Sequence, residues 1–159
     1  MAQLRSGFGV FIILGVLALG TPPAAAQVID VDGTAVEGHR LSVDLIKRAT
    51  AATLAINKAE KTAPEAGETP DDDLDGDSLI DAMAKRVEST AWQAAALKGA
   101  GITARDYVLT LIVLGQAEMA IESMANGTLP EPAPPWLMRN IAFVKAHPKE
   151  IKALADSLK

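Results

Sequence analysis

A chain of 159 residues with no cysteine, a formal charge of −5 and 4% aromatic residues has room for one core and cannot be stapled by disulfides. The acidic balance excludes the basic face of a nucleic-acid binder and disfavours adhesion to anionic lipid by charge. Its stability must come from burial and helix packing, or from a partner.

The first 26 residues read as an address. Arg5 is the only charge before the apolar run Val10 to Leu19; Gly20, Pro22 and Pro23 follow, then Ala24-Ala25-Ala26 before Gln27. This is the order of a secretory signal peptide, and cleavage after Ala26 is expected. Ten apolar residues are too few to cross a bilayer, which takes about 20. Removing 26 of 159 residues leaves 133, and losing Arg5 takes the charge from −5 to −6. The product is expected in the bacterial periplasm, or secreted, with no membrane contact after cleavage. Without cysteine, no lipid anchor can be attached to that residue type.

The mature chain reads as all-α, a single-domain helical bundle of four to five helices over residues 27–159. Alanine-rich stretches such as Ala94-Ala95-Ala96 favour close helix packing, and the alternation of strands is missing. Residues 27–40 read as extended or loose, with a turn at Asp32-Gly33. Ser42 offers an N-cap, and Leu41, Leu45, Ala49, Ala52, Leu54 and Ile56 recur at helical spacing, so a first helix is expected over 43–60. Residues 61–77 carry Pro64, Gly67, Pro70 and a run of aspartates, the composition of a disordered acidic linker. A second helix is expected from Ser78 or Leu79 to Lys98, with Leu79, Met83, Val87, Ala91, Ala94 and Leu97 on its stripe, Ile80 and Ala84 flanking it, and Gly99 and Gly101 ending it.

The third helix is the central one. Thr103 caps it with Asp106 three residues on. From Tyr107 to Ala117 it carries no charge, so a helix buried nearly all round is expected, its uncharged run too short to span a membrane. Asn126-Gly127 stops it. Pro130, Pro132, Pro134 and Pro135 form a stiff connector, and a final helical stretch runs over 136–158 with a kink or break at Pro148. Trp136 is expected to pack over the end of the bundle rather than stand out as an anchor for a partner.

One segment resembles a ligand motif. Asp71, Asp73, Asp75 and Gly76 match the early positions of an EF-hand calcium loop. The position that should supply a bidentate Glu is Ala82, and Asp81 falls one residue early. A solvated linker whose aspartates favour the start of the next helix is therefore preferred to a cation site, and any calcium affinity there should be about millimolar or weaker.

His39 and His147 are the only histidines and are not clustered with other ligands, which argues against zinc and acid–base catalysis. A haem held by His147 and one of Met83, Met119, Met124 or Met138 is a remote alternative, because methionines more often fill cores. Glu118 and Glu122 share a helix face without the Glu-x-x-His partners of a di-metal site; a solvated edge is the simpler reading. No cofactor and no enzymatic activity are expected.

Gly101 to Tyr107, running into an apolar helix, and Asn140 to His147 near the C-terminus resemble segments of small exported proteins of proteobacteria with no known activity. The resemblance covers about half the mature chain. It implies an all-α periplasmic protein and transfers no functional residue. The function expected is a non-enzymatic binding or interaction module, acting on an unknown protein or as a homo-oligomer. The alternative is a carrier of a small apolar ligand between the helices.

Overall fold

A computed structural model describes residues 33–62 and 79–159. Within them the chain is all-helical: α1 (Gly33–Gly38), α2 (Val43–Glu60), α3 (Leu79–Ser89), α4 (Ala91–Ala100), α5 (Ala104–Ala125), α6 (Pro135–Ala146) and α7 (Pro148–Ser157). The expected signal peptide and nearly all of the acidic linker, with Asp71, Asp73 and Asp75, lie outside the described residues.

Helix α5 touches every other helix except α7; its main neighbours are α3 and α6, while α2 lies mainly against α4 and α7. The core joins Ile46, Ala49, Ala52 and Ile56 of α2 to Tyr107, Val108, Leu111, Val113 and Leu114 of α5, with Ile80, Leu97, Ile141 and Leu154 closing it from the other elements. Alanines at 49, 52 and 117 are fully buried, which lets helix axes approach closely.

The helix ends follow local chemistry. Ser42 Oγ accepts from Leu45 N at 3.2 Å, and Thr103 Oγ1 accepts from Asp106 N at 3.0 Å while donating to Asp106 Oδ2 at 2.9 Å; each satisfies a donor that the first turn leaves open. Gly101 takes φ 68° at the end of α4. There Ile102 N donates to the Leu97 carbonyl and Gly101 N to that of Lys98, the paired bonds of a Schellman turn. Asn126-Gly127 ends α5 in the same way, with Thr128 N donating to Ser123 O. The break at Pro148 is complete: His147, at φ −126° and ψ 51°, separates α6 from α7.

Seven segments stand where four to five were expected, for two further reasons. The expected second helix is interrupted at Thr90, whose extended backbone (φ −92°, ψ 106°) divides α3 from α4. Ser89 Oγ donates to Arg86 O at 2.8 Å, and such local bonds compete with helix continuation. Ile80 and Ala84 of α3 are buried with Met83 and Val87 packed against the core, Leu79 is exposed, and α4 turns Leu97 inward. The segment before residue 40, expected to be loose, contains α1, which buries Val36. Leu54, placed on the apolar stripe of the first helix, is 55% exposed; Thr53 takes the inward position instead.

Two other elements fix relative direction. Arg105 Nε at the start of α5 pairs with Asp81 Oδ1 at the start of α3 at 2.8 Å, so these helices set out from one end. Asn57 Nδ2 near the end of α2 donates to Ser157 O at the end of α7 at 2.6 Å, while Ile46 and Thr50 lie beside Glu150 and Ala153. Helices α2 and α7 therefore run parallel.

Candidate functional site

Of the residues weighed for metal or acid–base chemistry, Asp71, Asp73 and Asp75 lie outside the described residues. Among the described residues, no group of three His, Asp or Glu side chains could hold a metal ion. Asp81, the near miss of the calcium pattern, accepts from Arg105. Glu118 and Glu122 are both exposed; crowding around the Glu118 carboxyl raises its pKa from the ordinary value. His147 stacks obliquely on Phe143 with ring centroids 4.5 Å apart. Met83 packs against the core, whereas Met119, Met124 and Met138 are exposed.

His39 is not in a loose segment. It follows α1, half-buried, with Nε2 3.2 Å from Thr110 Oγ1 on α5. Thr110 is fully buried and donates its own proton to Asp106 O at 2.6 Å. Burial lowers the His39 pKa; Asp106 opposes this and Arg105 adds to it. A second buried pair joins α2 to α5, where Tyr107 Oη and Thr53 Oγ1 lie 2.9 Å apart. Thr53 Oγ1 donates to Ala49 O, so the Tyr107 hydroxyl is the donor between them. Burial raises its pKa. These are structural pairs: neither places a nucleophile beside a base at an open surface.

Helix α5 departs from its expected burial. One face is covered through Tyr107, Leu111, Leu114 and Ala117, but beyond Leu114 only Ala117 and Ala120 are buried. The opposite stripe, spaced three and four apart, runs through Ile112, Gly115, Gln116, Met119 and Glu122. Ile112, Gly115 and Gln116 are half-covered and Met119 is 45% exposed. A Cβ placed at Gly115 would meet nothing within 4 Å, as at Gly38, Gly99 and Gly127, so the space beside the middle of this stripe is open. Gln116 Oε1 is buried there without a hydrogen-bond partner in the protein. At the adjoining end of the molecule, Trp136 opens α6 and packs half-buried against the core, as expected.

A depression of about 250 Å³ lies between α2 and α7, lined by Ile46, Lys47, Thr50, Lys149, Glu150 and Ala153. It is open to solvent and falls below the roughly 300–1,000 Å³ of ordinary ligand sites. Helix α5 continues past Ala117 to Ala125, so the argument from shortness does not hold for it. By length and composition alone, with a mean hydropathy of 1.4 over its most apolar stretch, it is sufficient to cross a membrane. The core helix of a soluble protein passes the same test, and α5 is packed by five other helices.

Sequence reasoning located α5 and a solvated edge at Glu118 and Glu122, but not the exposure of Met119 or the open space at Gly115, because apolar periodicity does not tell a covered face from an uncovered one. No protein family, curated protein or solved structure matches the chain.

Proposed function

We propose that the chain is an exported, non-enzymatic interaction module of the bacterial periplasm that takes a partner helix along the open stripe of α5. The observation that carries this reading is the open space at Gly115, between Ile112, which packs partly against the core, and the exposed Met119. A helix lacking a side chain at its centre admits close approach of another backbone, and methionine adapts to varied apolar partners. Glu122 at the outer end of the stripe, with Glu118 one position off it, suits a partner bearing basic groups beside its apolar ridge. The order of charge, apolar run and Ala-x-Ala at residues 1–26 supports export. Membership of the small exported proteobacterial proteins, suggested by Gly101–Tyr107 and Asn140–His147, belongs to the same proposal.

Gly115→Leu tests it. The space beside Gly115 accommodates the side chain, and replacing a mid-helix glycine should raise stability by about 0.5–1 kcal/mol. A photo-crosslinking residue at position 119 should capture a partner or second copy in the wild-type background and lose it in Gly115→Leu. The same group at Lys98, exposed on α4, should capture neither. Equal capture at 119 and 98, or capture unaffected by Gly115→Leu, would overturn the assignment of this face.

A further inference from the structure

Hydrogen bonds among the described residues fasten the segment from α1 to Leu41 to the body. The Glu37 carbonyl accepts from Arg139 Nη2 at 3.1 Å, His39 Nε2 meets Thr110 Oγ1 at 3.2 Å, and Leu41 N donates to Asn140 Oδ1 at 3.5 Å. Its buried apolar content is Val36 and Leu41, and a six-residue helix is too short to stand without such support. The gripping side chains are themselves incompletely satisfied. Arg139 Nε and Asn140 Nδ2 are buried with no partner in the protein, and Asn140 is 1% exposed. Lifting the segment would give both donors to water, which favours opening.

The His39 contact also fixes the tautomer of the neutral ring. Thr110 spends its hydroxyl proton on Asp106 O, so the imidazole must donate through Nε2 and carries no proton on Nδ1 when neutral. We infer that residues 33–41 form a clasp over the junction of α5 and α6, and that protonation of His39 in mildly acidic surroundings releases it. Charged groups on the elements around the ring are Asp106 and Arg105 on α5, Arg139 on α6, and Glu37 and Arg40 on its own segment. Desolvation is the largest influence on the ring and outweighs the attraction of Asp106. The closed clasp thus prefers neutral His39, with a pKa below the 6.5 of an exposed imidazole. Its closure is fully favoured above that value. As pH falls below 6.5 the open form takes up the proton first, and closure weakens until the pKa of the closed form is passed.

Amide hydrogen exchange on the full chain tests the clasp. Corrected for intrinsic rates, the protection of Leu41 N–H should fall between about pH 7.5 and about pH 5.5, by at most tenfold for each unit separating the open and closed pKa values. The amide of Val113 should hold its protection. His39→Gln keeps a donor near the Nε2 position but cannot titrate, so its Leu41 protection should not change with pH. A Leu41 amide indifferent to pH, or one that loses protection equally in His39→Gln, would overturn the inference. The wild-type ring resonances give a second reading that needs no variant: a His39 midpoint at or above 6.5 would overturn it too.

Discussion

The hydrogen bond between Tyr107 and Thr53 ties α2 to α5 at the centre of the core, and its energetic worth follows from its geometry. Tyr107→Phe removes one neutral bond and leaves Thr53 Oγ1 still donating to Ala49 O; the expected cost is about 1 kcal/mol. Thr53→Val keeps the branched shape but strands the Tyr107 hydroxyl in a site where Tyr107 is 4% exposed. That loss should reach about 1–3 kcal/mol. In the double variant the stranded hydroxyl is gone, so the two costs should not add. A coupling of about 1 kcal/mol is expected from a double-mutant cycle read by urea denaturation. For a domain of this size each 1 kcal/mol should move Tm by about 3–5 °C. The raised Tyr107 pKa adds a sign: stability is intact below pH 10 and falls as the unfolded tyrosine ionises while the buried one does not. Strict additivity of the two single variants, within about 0.3 kcal/mol, would refute this account of the α2–α5 contact.

Two further outcomes follow from burial and from the acidic segment. Leu154→Ala, at a fully buried position of α7, should cost about 2–5 kcal/mol, whereas Leu54→Ala on the outer face of α2 should stay within about 0.5 kcal/mol; denaturation midpoints that rank them the other way would contradict the core. Calcium added to about 1 mM should leave the melting temperature unchanged, because the Asp71, Asp73 and Asp75 pattern lacks its bidentate Glu. A rise that magnesium does not reproduce would establish a calcium site there.

What the sequence made legible was whatever local chemistry decides. The span of α2 follows from the Ser42 cap and an apolar repeat, that of α5 from Thr103, Asp106 and the Asn126-Gly127 stop, and the start of α7 from Pro148. Elements set by packing were hidden. Helix α1 has glycine at both ends and holds its place through Val36 and the His39–Thr110 contact, neither of which has a periodic signature. Thr90 breaks the second helical pattern without a proline or glycine to announce it, and within α3 the flanking positions Ile80 and Ala84 are buried beside Met83 and Val87 while Leu79 at the helix start is exposed. The candidate site was half legible. An apolar helix around Gly115 could be read from residue types, but its uncovered side depends on where α3 and α6 lie, which is a property of the whole fold.

The central claim is that the chain is exported and acts by holding a partner along α5. Native mass spectrometry of a periplasmic extract tests both parts at once. A chain beginning at Gln27 is expected, carried in a complex with another protein or a second copy, and reduced to a free monomer by Gly115→Leu. A chain that keeps Met1 to Ala26 in the membrane fraction, or a mature monomer with nothing bound, would contradict it.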